Sequence, residues 1–407
     1  MACLKVKKRL DPCQTGLEAE KLRNDLKRMV VGQNEAVDQI VNVYQTYLAG
    51  MNSPGRPIGN LLFLGPTGTG KTRLVEATAQ ALLGDSRAVI KIDCAEFQHS
   101  HEIAKLIGSP PGYLGHRETH PLLSQEVLSQ YHTETVKVSF VLFDEIEKAS
   151  DSLWNLLLGV LDKGTLTLGD NRRVDFSRAM IFMTSNLGAA EMGSMMRPNL
   201  GFTSGEAERS YAHGEASNDL HAKVAKAGVE AARRKFTPEF MNRIDKVVVF
   251  HSLGKPEMDR ILTLELGHLR ERIMETCGEA CHGDTCRSGA FAFSLTTEAR
   301  EFLLREGTDL KYGARHLKRA IERALVHQLS NLIASGQVRG GDLIRIDFDE
   351  ELGALSFDRE AEGMSGIAIA QMMDNSPALQ SMAAAAFASD LEQIRRVNTP
   401  KPSKVTA

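Results

Sequence analysis

Glycine, lysine and threonine crowd one short segment of this sequence. Gly65, Pro66, Thr67, Gly68, Thr69, Gly70, Lys71 and Thr72 follow the apolar run LLFL (61–64) and precede a helical stretch. They fit the G-x-x-x-x-G-K-[ST] pattern in the strand–loop–helix setting that gives the pattern its meaning. Backbone N–H groups of such a turn, with the positive end of the next helix dipole, cradle phosphate oxygens. Lys71 would add a point charge at the terminal phosphates, and the Thr72 hydroxyl is placed to bind Mg²⁺. An acidic pair should complete the site from the end of a neighbouring buried strand, and VSFVLFDEIEK (138–148) supplies one. Asp144 is assigned to the metal shell and Glu145 to the general base that takes a proton from an attacking water. MTSNLG (183–188) ends a further apolar run. Its amide, Asn186, would orient that water or the terminal phosphate from the carboxyl end of a parallel strand.

Positioning those groups calls for a parallel sheet. Short apolar runs at 61–64, 88–92, 138–143 and 179–184 alternate with helix candidates at 70–83, 121–130 and 151–162, and VVVF (247–250) reads as another buried strand. Strands apolar on both faces and separated by helices argue for a sheet covered on both sides. Ahead of it, Leu17, Leu22 and Leu26 stand at roughly helical spacing, and 35–48 reads as an amphipathic helix. Residues 187–220 form a long polar segment, a length that inside a domain points to function or irregular structure. HSLGKPEMD (251–259) marks a boundary. Helices near 257–276, 296–306 and 313–335 follow, then the strand pair LIRIDF (343–348) and ALSF (354–357). The expected organisation is a helical extension (1–28), a large α/β domain (29–252), a small, mostly helical domain with a short β element (253–357) and a low-complexity tail (358–407).

Composition sets the outer limits. The chain has 407 residues, 42% hydrophobic and 25% charged, with 49 Lys+Arg against 52 Asp+Glu and a formal net charge of −3. That balance argues against a protein that lives by gripping nucleic-acid phosphates. No apolar run approaches a membrane span, no signal-peptide core follows the basic N-terminus, and six cysteines are too few for a disulfide scaffold. A cytoplasmic location is expected.

At this point the chain resembles a known family, the Clp branch of AAA+ ATPases, and within it the C-terminal ATPase module of ClpB-, ClpC- and ClpA-type unfoldases. Seven ordered motifs carry the resemblance: VVGQNEAV (30–37), GPTGTGKT (65–72), IGSPPGYLG (107–115), VLFDEIEKA (141–149), MTSNLG (183–188), FTPEFMNRID (236–245) and YGARHLKRAI (312–321). The resemblance implies an AAA+ P-loop fold, ATP and Mg²⁺ as ligands, and a homo-oligomeric ring, in this family a hexamer, that threads unfolded or misfolded polypeptide through a central pore. It implies that Val30 and Val31 pack on the adenine, and that Gly112, Tyr113, Leu114 and Gly115 form the pore loop, with Tyr113 gripping the substrate. Arg243 resembles the arginine finger that reaches the neighbouring subunit's nucleotide, and Arg315 the second sensor.

Larger Clp proteins carry two ATPase modules and an adaptor domain, whereas one phosphate loop is present here, so substrate selection is expected from the N-terminal helix, the tail or an adaptor. Leu200, Gly201 and Phe202 resemble the tripeptide that docks a ClpP-type peptidase; an anchor folded back on the domain is the other reading. Cys277, Cys281, His282 and Cys286 offer thiols and an imidazole to zinc, but lack the paired C-x₂-C spacing of standard sites. His99, His101, His116 and His120 read as solvated. An AAA+ nucleic-acid motor or loader, and a regulatory scaffold that binds ATP without turnover, are the competing functions.

Overall fold

The computed structural model describes residues 11, 14–109, 121–189, 191–192, 214–279, 291–308 and 313–364. The chain divides into two compact units, the first ending at Leu253 and the second beginning at Gly254, with Gly313 counted in the first.

The first unit is built on β1 (Gly59–Leu64), β2 (Ile90–Asp93), β3 (Ser139–Asp144), β6 (Ala179–Ser185) and β7 (Lys246–Val249), in the spatial order β2-β3-β6-β1-β7. All four pairings are parallel. Every residue of β1 and β6 is buried, as strands covered on both faces must be. Alternation divides their side chains between two cores. Leu61, Phe63, Phe140, Leu142, Met180 and Phe182 meet α1 (Leu17–Met29), α2 (Asn34–Leu48) and α3 (Lys71–Leu83) on one face. Leu62, Leu64, Val141, Phe143, Ile181 and Met183 meet α6 (Asp151–Lys163) and α7 (Gly214–Lys235) on the other. Two short helices, α4 (Ala104–Ile107) and α5 (Gln125–Ser129), and a two-stranded hairpin, β4 (Thr165–Thr167) with β5 (Arg173–Asp175), complete the unit before α8 (Pro238–Met241). The hairpin was not expected from the sequence, because three-residue strands carry too little alternation to register.

Helix ends follow local chemistry. Glu18 and Glu20 sit in the first turn of α1 and Lys27 and Arg28 in its last, each charge matching the helix dipole. Gly164 closes α6 in the left-handed conformation at φ 56°, the usual way to end a helix. Leu17 is a correction to the expected spacing: it is 92% exposed, and Ala19 joins Leu22 and Leu26 in the core.

The second unit holds α9 (Lys255–Glu279), β8 (Ala292–Leu295), α10 (Thr297–Gly307), α11 (Ala314–Ile321), a π-helical turn (Glu322–Val326), α12 (His327–Ala334), β9 (Leu343–Asp349) and β10 (Ala354–Ala361). β9 is the middle strand, parallel to β8 and antiparallel to β10. β8 was absent from the expected elements, and β10 runs to Ala361, past the expected start of the tail.

Candidate functional site

Strand order alone decides what meets at the carboxyl ends. The glycine turn follows β1, the acidic pair closes β3, and β6 lies between them. A polar side chain just after β6 must therefore stand between the turn and the acids, and Asn186 does. Its Oδ1 accepts from Lys71 Nζ at 2.9 Å and Thr67 Oγ1 at 3.4 Å, while its Nδ2 donates to Glu145 Oε1 at 3.1 Å. One amide joins both halves of the site.

The turn has the geometry of an anion cradle. Gly68 and Gly70 have φ of 77° and 99°, a region open to glycine and costly for other residues. Gly65, at φ 145°, lies so close to Phe250 that a Cβ would stand 2.6 Å from its carbonyl oxygen. α3 begins at Lys71 with no side-chain cap and no acidic residue in its first turn, leaving its N–H groups and positive dipole end to a ligand. Lys71 is 8% exposed and also donates to the carbonyls of Gly65 at 2.6 Å and Pro66 at 2.9 Å. Thr69 Oγ1 donates to Pro66 O at 2.9 Å.

On the acidic side, Thr184 Oγ1 donates to Asp144 Oδ1 and accepts the Glu145 N–H at 3.0 Å. Glu145 adopts φ 55°, a strained value for a residue with a Cβ, which turns the chain sharply out of β3. Its Oε2 is paired with Lys148, and that hydrogen bond holds the Lys148 ammonium above its ordinary range. Glu147 accepts the Asn186 N–H at 3.0 Å, and its other oxygen is buried without a hydrogen-bond partner. Burial pushes the neighbouring Cys94 thiol up, and the charges of Asp144, Asp93, Glu147 and Glu145 push it further.

The residues present fit a nucleotide and Mg²⁺. Among the described residues no group of three or more His, Cys, Asp and Glu could hold a metal by itself. Thr72 and Asp144 suit an ion that keeps waters and shares phosphate oxygens.

Thr184, Glu147 and Gln33 escaped the sequence reading. Gln33 Nε2 donates to Thr69 O at 3.1 Å and His251 O at 2.9 Å, tying the turn to the segment after β7. The signal was available: each lies inside a quoted motif, two positions from an assigned residue. Val30 and Val31 are buried at 7% and 6% exposure.

Arg243 lies elsewhere. It precedes β7, and Asn60 at the start of β1 donates through Nδ2 to Arg243 O at 3.1 Å and to Leu161 O at 3.0 Å. β1 thus separates Arg243 from the glycine turn by roughly 20 Å of strand. The Arg243 guanidinium stands 3.5 Å from Asp162 and 3.7 Å from Glu239, with Nε buried and without a hydrogen-bond partner. Asp245, two residues on, pairs with Arg56 at 3.5 Å. In the second unit, Arg315 is exposed in the first turn of α11. Gly112, Tyr113, Leu114, Gly115, Leu200, Gly201, Phe202, Cys281, His282, Cys286 and the tail beyond 364 lie outside the described residues. No described helix is long and apolar enough to cross a membrane.

Two family models match the chain: the AAA domain (Cdc48 subfamily) over residues 56–247, and the C-terminal, D2-small domain of ClpB protein over 284–346. The chain is 37% identical over 328 residues to an ATP-dependent Clp protease ATP-binding subunit ClpC of Staphylococcus saprophyticus, covering 81% of this chain and 36% of that one. It is 36% identical over 335 residues to the ClpC of Staphylococcus aureus strain USA300, covering 82% and 37%. The chain spans little more than a third of the length of these relatives. A closed-state cryo-EM structure of Hsp104 with ATPγS and FITC-casein matches with a TM-score of 0.65 and 27% identity, covering 84% of this chain and 52% of that one. Two family models in order, over a site built from the family's motifs, place the chain in the Clp branch of the AAA+ ATPases.

Proposed function

We propose that this chain is the ATP-hydrolysing module of a ring-forming, cytoplasmic protein unfoldase. The observation that carries the reading is the Asn186 amide, which bonds Lys71 and Glu145 at once. A phosphate-binding lysine and a general base on one amide are positioned for hydrolysis, and a binding scaffold has no use for the second contact.

ATP would lie with its phosphates on Gly65–Thr72 and its base near Val30 and Val31. Lys71 would exchange its contacts to the Gly65 and Pro66 carbonyls for phosphate oxygens. Mg²⁺, held by Thr72 and Asp144, would supply charge neutralisation at the phosphates. Glu145 would accept the proton of the attacking water, with Asn186 fixing both water and carboxylate. Arg243, about a strand's length from its own turn, would complete the site of the neighbouring copy, so the active form is a homo-oligomeric ring, a hexamer by family resemblance. Arg315 would report nucleotide state from the second unit. Tyr113, flanked by Gly112, Leu114 and Gly115, would press on translocating polypeptide without sequence preference. The relatives' naming as Clp protease subunits supports a ClpP-type peptidase docked through Leu200, Gly201 and Phe202.

The test is an ATPase assay on the full chain with and without casein, beside a size measurement. Turnover stimulated by casein in an oligomer, and lost in Glu145→Gln while ATP stays bound, is the expected result. Stimulation by DNA and not by casein would replace the reading with a nucleic-acid motor.

A further inference from the structure

Two places in the first unit await a common explanation: the turn that carries Glu145, and the parked guanidinium of Arg243. One helix touches both. At the near end of α6, Trp154 Nε1 donates to Ile146 O at 3.0 Å, so the indole is bonded to the residue next to the general base. At its far end, Asp162 faces Arg243 at 3.5 Å, and Asn60 grips the Leu161 and Arg243 carbonyls together. Trp154 and Asp162 are about 12 Å apart along the axis at 1.5 Å per residue.

A second route runs beside the helix. The Trp154 ring meets Phe236 edge-on at 5.5 Å and Phe240 at 6.5 Å, under the Lys235 ammonium at 5.3 Å. Phe236 and Phe240 touch in turn at 5.3 Å, and the Phe240 carbonyl accepts the Arg243 N–H at 3.1 Å. A displaced base-bearing turn therefore pulls on an aromatic cluster whose last member is bonded to Arg243. The guanidinium is suited to respond: both its ion pairs are long, it is 31% exposed, and its Nε has no hydrogen-bond partner.

We propose that α6 couples each copy's own hydrolytic site to the arginine it lends its neighbour, with Trp154 and Asp162 as the positioning residues at its two ends. This rests on the reading of Arg243 as a finger acting across the subunit boundary. It adds a direction: the state of one site sets the rate at the next.

Trp154 is the chain's one tryptophan, so its emission reports the near contact directly. In the assembled wild-type chain, adding ATPγS should shift that emission, and Asp162→Asn, a change at the far end, should alter the shift. ATP saturation should be cooperative in the wild type. Trp154→Phe and Asp162→Asn should each bring the Hill coefficient toward one and lower kcat about fivefold or more, the lower range of ordinary site-to-site coupling, with nucleotide affinity within about twofold. The double variant should lose no more than the worse single, since both cut one path. Asp162→Asn keeps the test alive if Trp154→Phe fails to fold. Non-cooperative wild-type turnover, an emission shift indifferent to residue 162, or losses that multiply in the double variant would each overturn the coupling while leaving the ATPase reading intact. A chain that neither binds nor hydrolyses ATP would sink that reading itself.

Discussion

At the carboxyl ends of the five-stranded sheet four carboxylates surround one buried thiol; at the strand starts two arginines stand among carboxylate partners and two further cations act on a histidine. Asp93, Asp144, Glu145 and Glu147 all act on the buried Cys94 and disfavour its thiolate. At the other end, Arg178 and Lys137 act on His132 and, after burial, disfavour its charged form. Arg56 and Arg243 stand at the same end, Arg56 paired with Asp245 and Arg243 with Asp162 and Glu239, and Asn60 bonds both Asp245 and the Arg243 carbonyl. One sheet thus has two ends of different make-up. If Arg243 serves a neighbouring copy, the strand-start end of one copy meets the nucleotide end of the next.

The largest effect tests that division of labour. Arg243→Ala should cost about 10³-fold or more in kcat, as finger removal does elsewhere, with nucleotide affinity nearly unchanged. Glu145→Gln should be comparably inactive. Mixing the two variants before assembly should restore turnover, because an intact Glu145 in one copy then meets an intact Arg243 from its neighbour. Mixed rings as inactive as either parent would place both groups in one copy's site and erase the contrast between the ends.

The two ends also differ in how plainly the sequence announces them. The glycine turn, Asp144, Glu145 and Asn186 are a contiguous loop and two strand endings, so residue type and flanking apolar runs suffice to find them. Asn60 has no motif, and its role depends on two carbonyls, Leu161 O and Arg243 O, about 100 and 180 positions away. The one local hint is a fully buried amide opening an apolar strand, which must find partners to be there at all. Trp154 hides for the same reason: its bond to Ile146 O follows from how α6 packs. The parallel sheet was legible because its strands are apolar on both faces. The β4–β5 hairpin was not, its strands being three residues long with one buried residue each, and β8 was missed because its short FAFSL run interrupts a stretch that otherwise reads as helical.

A matched pair of stability changes compares the ends at the level of folding. Gly65→Ala forces a Cβ to within 2.6 Å of the Phe250 carbonyl at a φ of 145°, and should cost about 2–3 kcal/mol. Asn60→Ala strips the amide from two carbonyls and should cost about 1–3 kcal/mol. Denaturant midpoints give both values. The contrast lies in function: Gly65→Ala should weaken nucleotide binding, whereas Asn60→Ala should spare binding and lower kcat by loosening Arg243. Equal losses of binding would mean that the strand starts support the site only as scaffold.

The smallest expected effect probes the charge difference itself. His132 Nε2 lies 2.8 Å from Ser139 Oγ, whose hydroxyl donates to Leu128 O at 2.7 Å, so the ring nitrogen is the donor and the neutral imidazole satisfies the pair. Burial, then Arg178 and Lys137, hold its pKa below the ordinary 6.5. The unfolded chain therefore takes up the proton first as pH falls. The stabilisation from a neutral His132 is complete above about pH 6.5 and is lost as pH drops through the window beneath it. His132→Gln, which keeps a donor for Ser139, should fall less in thermal midpoint between about pH 7 and 5.5 than the wild type. Arg178→Gln in the wild-type background should shrink the same acid-side fall by removing one of the cations that oppose protonation. If neither substitution changes the slope, Arg178 and Lys137 exert no field at His132, and the electrostatic half of the comparison fails while the topological half stands.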